Sequence, residues 1–254
     1  MEKKQLNTMS PEEIKQAVGQ RYSQVADTPS GKFNFPVGRK FAESVGYPAS
    51  VLGNLPEGLY ESFTGANNPQ TEVELHEGEK LLDLGCGAGL DLYFYHRKRA
   101  EKVSLFGLDI SYSMLKKAAR NLSECGVKKF NPVQGCSDRM PLSDGSFDIV
   151  ASNGIYNLSP DKRAVAREVC RVLRPGGRTV LSEIVLKAPL ETEIRKNIDD
   201  WFRCIGGALT KPEFLGLLKS EGFNKIQVVR EGRNARTGHS LAVFVNIIAY
   251  KPNA

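Results

Sequence analysis

At 254 residues, the chain is long enough for one large domain, or for one domain with an extension, and too long for a small disulfide-stapled module. Its 41% hydrophobic and 25% charged residues are typical of folded proteins, which excludes extensive disorder and fibrous repeats. The net charge of +6 results from 35 Lys and Arg against 29 Asp and Glu without a long run of either sign, so it favours a basic surface over a nucleic-acid-binding face.

The first predicted element is a helix that begins after Ser10. Ser10 is a good N-cap, Pro11 suits the first helical position, and Glu13 completes a capping box, so we predict a helix over residues 11–25. Residues 27–69 are punctuated by Pro and Gly and carry no core of their own. We therefore predict a helical cap over residues 1–79, followed by a domain over residues 80–254.

From residue 80 onward, short apolar runs alternate with amphipathic segments, which predicts βαβ units and a parallel sheet. The five runs are KLLDLG, VSLFGLD, FNPVQG, FDIVAS and TVLSEIVL. One helix is predicted from Ser159 to the breaker Pro175, and another begins at the capping residue Thr210. Between these two, helical spacing predicts a single helix through Ile194, Ile198, Trp201 and Ile205.

Two more strand-like runs, NKIQVVRE and LAVFVNIIAY, close the chain and are separated by the polar segment EGRNARTGHS, in which we predict a turn. The predicted fold class is therefore α/β: a doubly wound sheet of seven strands, parallel except for a C-terminal antiparallel hairpin, with an N-terminal helical cap. The longest apolar stretch, residues 241–250, is about half the ~20 residues that a membrane helix needs, so no membrane span is predicted.

The cysteines and the first residues of the chain indicate a reducing compartment. The five cysteines are odd in number and form no CxxC pair, which favours free thiols. The segment MEKKQLNTMSPEE lacks the apolar core of a signal peptide. We therefore expect a cytoplasmic protein.

The sharpest functional signal is the glycine turn LDLGCGAG at residues 82–89, between a predicted strand and a predicted helix. Glycines let the backbone approach a ligand closely, and the next helix offers free N–H groups. Asp109 ends the next strand about 20 residues later, where a carboxylate can accept ribose hydroxyls. Two further strands end at Ser137-Asp138 and Ser152-Asn153. Four strand ends therefore converge on a nucleoside-sized ligand, although the glycine turn alone would suit a dinucleotide equally.

The segments ELHEGEKLLDLGCGAG, MPLSDGSFDIV and VCRVLRPGGR resemble class I methyltransferases, and the resemblance covers residues 50–225. It implies a Rossmann-like sheet and S-adenosylmethionine as cofactor, with S-adenosylhomocysteine as product. By the same resemblance, the cofactor-binding residues are Asp83, Gly85, Cys86, Gly87, Gly89 and Asp91 around the methionine part, Asp109 at the ribose, Ile110 and Met114 beside the adenine, Ser137 and Asp138 at its edge, and Asn153 with Gly154 below the sulfonium.

Three further segments, SFTGANNP, NGIYNLSPDK and CIGGAL, are similar to the arsenite methyltransferase family. In that family, As(III) is held by cysteine thiolates. The usual thiol positions map onto Ala66, Gly154 and Cys204, so this chain keeps one thiol of the set. A soft As(III) centre needs two or three thiolates. Because two of the three thiols are absent here, we predict that arsenite is methylated poorly or not at all.

We therefore predict an S-adenosylmethionine-dependent methyltransferase that acts on a small organic acceptor, a thiol being one option. Cys204 and Tyr156 are the candidate catalytic residues, and Glu183 and Asp200 are further candidate bases. The open alternatives are an arsenite or methylarsenite methyltransferase that uses Cys204 with a borrowed thiol, a cofactor-binding protein without turnover, and a nucleic-acid modifier. The borrowed thiol would come from Cys86 or Cys136.

Two tyrosines of the cap and the three histidines lie outside these motifs. Tyr22 and Tyr47 in the cap are interpreted as hydrophobic anchors, with the lining of an acceptor pocket as the alternative. The three histidines have no ligand spacing, and no metal site is predicted at His76, His96 and His239.

Overall fold

The computed structural model describes residues 6–99 and 102–253, and a seven-stranded sheet lies at its centre. The strands are β1 (Lys80–Leu84), β2 (Ser104–Asp109), β3 (Phe130–Gln134), β4 (Phe147–Asn153), β5 (Leu173–Leu186), β6 (Asn224–Arg233) and β7 (Ala242–Tyr250). Their order is β3-β2-β1-β4-β5-β7-β6, with β1 to β5 parallel and β7 antiparallel to both neighbours. The predicted fold class is confirmed.

Helices cover both faces of the sheet. They are α1 (Pro11–Asp27), α2 (Arg39–Ser44), α3 (Ala49–Leu52), α4 (Glu57–Tyr60), α5 (Leu90–Arg99), α6 (Tyr112–Glu124), α7 (Lys162–Val172), α8 (Thr192–Lys196), α9 (Ile198–Phe202) and α10 (Lys211–Ser220). Side chains of β1 alternate between the faces: Leu82 packs in one cluster with residues of α7 and α10, and Leu81 packs in another with residues of α5 and α6. Burial on both faces explains why the central strands are continuous apolar runs.

Two helix predictions are wrong in their extent. The helix predicted to reach Pro175 ends at Val172, because Leu173 already pairs with Phe147 across β5 and β4. The single helix predicted through residues 194–205 is two short helices. Asn197 interrupts it with an extended backbone and caps α9 by accepting the Asp199 N–H at 2.9 Å. An Asn side chain that bonds the backbone in this way competes with helix continuation.

The cap shares its hydrophobic core with the domain. Ile14 and Val18 of α1 pack in one cluster with Trp201 and Phe202 of α9. Other apolar cap residues, Leu52, Leu59 and Phe63 among them, pack in a second cluster with Leu90 and Phe94 of α5. Burial of each such side chain contributes about 1.5 to 3 kcal/mol. The cap is therefore held on the domain by shared burial.

The segment between β6 and β7 connects the two strands as predicted, but it is shorter than the polar run and is partly buried. β6 continues to Arg233, and beyond it Asn234, Arg236 and Thr237 are buried. The reason is that Arg236 has partners on other elements, including the Phe202 carbonyl oxygen at 3.1 Å. In the described part of the chain, no helix is long and apolar enough to cross a membrane. All five cysteines are free.

Candidate active site

An open cleft with an empty volume of about 1040 Å³ lies at the carboxyl ends of β1, β2, β3 and β4. Loops that follow the strands form its floor, and α1 with residues 62–65 forms its roof. The carboxyl edge of a parallel sheet is the usual place for a ligand in such folds. The predicted site residues that line the cleft are Gly85, Cys86, Gly87, Asp91, Asp109, Ile110, Met114, Ser137, Asp138, Asn153 and Gly154.

Two predicted cofactor-binding residues lie behind the cleft wall. Asp83 is 2% exposed within β1 and is absent from the lining. Gly89 has a φ of +94°, and a Cβ there would lie 3.2 Å from Leu122, so this glycine lets the turn pack closely on α6. Both residues support the wall of the site.

Tyr156 does not reach the cleft, and its prediction as a catalytic residue is wrong. It is 1% exposed, and its ring packs edge-on against Phe214 with centroids 5.2 Å apart. Burial also raises the pKa of its hydroxyl, so the phenol stays protonated. Ile155, the preceding residue, is the one that lines the cleft.

The other candidate bases also lie outside the cleft lining. Glu183 is fully buried and accepts the Tyr156 N–H at 2.7 Å, and burial raises its pKa to about 7. Asp200 pairs with Arg203 at 3.0 Å. No group of His, Cys, Asp and Glu that could hold a metal occurs among the residues described.

Cys204 is fully buried directly behind Gly154 of the cleft wall. Its Sγ lies 3.7 Å from the Gly154 carbonyl oxygen, and burial raises its pKa to about 11. Ala66 approaches Gly154 from the cap, since a Cβ built on Gly154 would lie 3.5 Å from the Ala66 Cβ. The three positions expected to hold thiols therefore lie together, and the one thiol present is neutral at neutral pH.

Asp109 joins the glycine turn to the end of β2. Its Oδ2 accepts the Gly87 N–H at 2.9 Å, and its Oδ1 accepts the Ser111 N–H at 2.8 Å. Burial raises its pKa to about 6, against the effect of these backbone hydrogen bonds. A carboxylate oxygen can accept a second hydrogen bond, so Asp109 retains acceptor capacity at the cleft wall.

Asp91, at the start of α5, is held by two side chains. The Tyr47 hydroxyl donates to its Oδ1, and the Asn153 Nδ2 donates to its Oδ2 at 3.1 Å. Burial raises the pKa of Asp91 to about 6, and these two hydrogen bonds oppose the rise. The prediction of Tyr47 as a hydrophobic anchor therefore misses its polar contact.

The three carboxylates of this region favour a cationic ligand. Burial and the charges of Asp91 and Asp109 raise the pKa of Asp83 well above its usual range. The Asp83 Oδ2 is buried and has no hydrogen-bond partner among the described residues. A positive group in the cleft would relieve the repulsion among these carboxylates.

Asn153 fastens the cap to the end of β4. Its Oδ1 accepts the Ala66 N–H at 2.7 Å and the Asn67 N–H at 3.2 Å, and its Nδ2 donates to the Asn67 carbonyl oxygen at 2.8 Å. Gly65 is needed beside it, because a Cβ there would clash with the Asn153 amide. The Asn153 side chain is thus engaged with protein atoms at the cleft wall.

The opposite end of the cleft is closed by α1, which belongs to the predicted N-terminal cap, although the residues of α1 that face the cleft were not predicted. Lys15 Nζ lies 3.1 Å from the Asp138 Oδ2, and Ser23 Oγ lies 2.8 Å from the Ser111 Oγ. The buried Asp138 Oδ1 has no partner within the described ranges. The signal that could have identified this face is the helical spacing of its cleft-lining residues, Lys15, Val18 and Tyr22.

Comparisons with known proteins agree with this architecture. A family model described as "Methyltransferase domain" matches residues 75–222. An arsenite methyltransferase of Halobacterium salinarum is 30% identical over 187 residues, which are 74% of this chain and 48% of the relative. An arsenite methyltransferase of Aquipseudomonas alcaligenes is 33% identical over 175 residues, which are 66% of this chain and 51% of that relative. The chain spans about half the length of the curated relatives it matches.

A solved structure shares the fold. The crystal structure of an arsenic(III) S-adenosylmethionine methyltransferase from Chlamydomonas reinhardtii superposes with a TM-score of 0.67 at 28% sequence identity. The match covers 81% of this chain and 73% of that one.

Proposed function

The chain belongs to the methyltransferase domain family, and on this basis we propose that it transfers a methyl group from S-adenosylmethionine to a small organic acceptor. The cleft supports the proposal because it brings together the glycine turn, the carboxylate of Asp91 at the start of α5 and the carboxylate of Asp109 at the end of β2. The cap roofs this cavity, so an acceptor inside is sheltered from water.

The residues present fit S-adenosylmethionine better than a dinucleotide. The cofactor carries a positive sulfonium and an ammonium, which suit the carboxylates of Asp91 and Asp109 in the cleft lining, whereas the pyrophosphate of NAD is negative. Gly87 lines the cleft, and a Cβ built there meets no atom within 4 Å, so its backbone borders open space that a ligand can approach.

When bound, S-adenosylmethionine supplies an electrophilic methyl group. In the proposed site, Asp91 binds the ammonium and Asp109 accepts ribose hydroxyls. The Asp138 Oδ1, which has no partner among the described residues, accepts the adenine amino group. Alignment of the acceptor and exclusion of water then supply much of the acceleration.

The observation that carries the choice of an organic acceptor is the thiol set behind the cleft wall. Ala66, Gly154 and Cys204 lie together, but they offer one thiol, and burial keeps it protonated. An As(III) centre requires two or three thiolates for affinity and for orientation of its lone pair. The three residues Ala66, Gly154 and Cys204 do not provide these thiolates.

Neither candidate for a borrowed thiol is well placed. Cys136 follows β3, which is three strand spacings, about 14 Å, from β4 and Gly154. Cys86 is closer to Gly154, but its sulfur packs against Gly107 of β2. A Cβ built on Gly107 would lie 2.7 Å from that sulfur. Arsenite methylation is nevertheless the second candidate function, because the two relatives compared above are arsenite methyltransferases.

A binding and transfer experiment tests the proposal. Calorimetry should detect binding of S-adenosylmethionine and none of NAD. Transfer of a tritiated methyl group should then occur to a member of a panel of quinols, thiols and phenols, and poorly or not at all to arsenite, methylarsenite and selenite. Binding without transfer to any compound would favour a cofactor-binding protein, and efficient transfer to arsenite would favour the second candidate.

Tyr47→Phe is expected to shift the pH dependence of S-adenosylmethionine binding upward by about one pH unit. The ammonium of the cofactor pairs with ionised Asp91, so affinity rises as pH increases through the pKa of that group, about 6, and is level above it. Loss of the Tyr47 hydrogen bond destabilises the carboxylate and raises this pKa further.

The matched control is Tyr95→Phe. The Tyr95 hydroxyl is also buried and close enough to interact with Asp91, but it has no hydrogen-bond partner within the described residues. Its removal should leave the pH profile unchanged. The measurement is calorimetric affinity from pH 5.5 to 8.5, and coincident profiles for the two variants would contradict the role of Tyr47.

A further inference from the structure

A buried guanidinium lies behind the roof of the cleft. Arg236 is 3% exposed. Its Nη1 donates to the Thr64 Oγ1 at 2.8 Å, and its Nη2 donates to the Tyr22 hydroxyl oxygen at 2.9 Å and to the Phe202 carbonyl oxygen at 3.1 Å. Its Nε has no partner in the described part of the chain. Every one of these acceptors is neutral.

A second buried cation lies in the same region. Lys162 Nζ stands 4.7 Å from the centre of the Trp201 ring and donates to the Ser159 carbonyl oxygen at 3.0 Å. Glu183 is a carboxylate close enough to interact with both Lys162 and Arg236. Cys204 is a neutral thiol. Arg236 thus shares the buried carboxyl group of Glu183 with Lys162, which also interacts with Asp161, and burying an excess charge is costly without a counter-charge.

Tyr22 connects this positive region to the cleft. Its ring lines the cavity, and its oxygen accepts the hydrogen bond from Arg236. The Tyr22 proton therefore remains available, since no acceptor for it occurs among the residues that the structure describes. Burial raises the pKa of Tyr22, so the hydroxyl acts as a donor and not as a base. Its electrostatic neighbours include both Asp109 and Cys204, which places it between the ribose side and the Gly154 end of the cleft.

Resting on the function proposed above, we propose that Tyr22, positioned by Arg236, donates a hydrogen bond to an anionic oxygen of the methyl acceptor, so that the acceptor is an organic anion. The Arg236 guanidinium polarises the Tyr22 hydroxyl and, through it, supplies the positive charge that stabilises the anionic oxygen. Thr64 cannot take this role, because its hydroxyl donates to the Pro36 carbonyl oxygen at 3.0 Å. Arg236 acts through Tyr22 and is a positioning residue.

The test compares two probes of the same shape and different charge, benzoate and benzamide, on the protein saturated with S-adenosylhomocysteine. We expect calorimetry to show benzoate binding about tenfold more tightly than benzamide. Tyr22→Phe should remove most of this preference and leave benzamide binding and S-adenosylhomocysteine binding unchanged. Tyr60→Phe, which removes a cap hydroxyl outside the cleft lining, should keep the preference.

Arg236 is tested by a conservative pair, because its loss could disturb the cap. Arg236→Gln should lower the ratio of benzoate to benzamide affinity, and Arg236→Lys should restore part of it, whereas a purely structural role would change both affinities together. Equal binding of the probes by the wild-type protein, a lack of benzoate binding, or an unchanged ratio in Tyr22→Phe would overturn the inference. Absence of S-adenosylhomocysteine binding would instead contradict the proposed function.

Discussion

Asp109→Ala should weaken S-adenosylmethionine binding at least a hundredfold. Two charge-assisted hydrogen bonds to ribose hydroxyls contribute about 1.5 to 3 kcal/mol each, and about 1.4 kcal/mol is a factor of ten in affinity. The substitution also removes the acceptor of the Gly87 N–H, so the glycine turn loses its attachment to the end of β2. Calorimetric titration of the two proteins measures the difference.

The companion variant Asp109→Asn separates these effects. It retains one acceptor oxygen and the shape of the side chain but loses the charge, so its affinity should lie between those of the wild-type protein and Asp109→Ala. Thermal unfolding of each variant shows whether the fold is intact. An affinity unchanged in Asp109→Ala would show that this carboxylate does not bind the ribose.

Under the proposed organic-acceptor function, Ala66→Cys should give the protein a much higher affinity for arsenite than the wild type has. The new thiol would stand beside Gly154, next to Cys204, and a second soft ligand should raise the affinity for As(III) by about a hundredfold or more through chelation. The chain has a single tryptophan, and the carbonyl oxygen of that residue, Trp201, accepts the Cys204 N–H at 2.9 Å. Its fluorescence should therefore report arsenite binding.

Two controls isolate the chelate. Ala66→Ser adds a side chain of similar size without a soft ligand, and Cys204→Ser in the Ala66→Cys background removes the partner thiol, so neither should bind arsenite. Gly154→Cys is a poorer choice, because its φ of +82° disfavours any side chain. Wild-type turnover of arsenite that Cys204→Ser abolishes would contradict the organic-acceptor proposal.

The fold was predictable because its signals are local. Each central strand is a short apolar run such as KLLDLG, and helix starts such as Ser10 and Thr210 carry capping boxes that the structure contains. The break at Asn197 was missed because the apolar spacing continues across it, and only the capping contact with Asp199 decides the outcome. Tertiary contacts also decided where α7 ends.

The site was predictable where it follows one strand end, and not where it depends on distant elements. Asp109 is the last residue of β2 and Asp138 lies in the loop that follows β3, and both line the cleft. Arg236 bonds to Thr64 and Tyr22, partners 172 and 214 residues away, so its polar surroundings in sequence indicated a turn and no role in the site. For Tyr156, the motif NGIYNLSPDK indicated a segment that does line the cleft through Ile155, but the Tyr156 side chain packs against Phe214 instead.

Asn153 bonds to the cap at Ala66 and Asn67, and to Asp91 at the floor of the cleft. Movement of residues 66–67 away from β4 therefore requires the loss of hydrogen bonds from the same side chain that also holds Asp91. A group of hydrogen bonds that must break together makes opening slower than the movement of an untethered loop. Opening of this wall of the cleft and release of the Asp91 side chain are therefore expected to occur as one event.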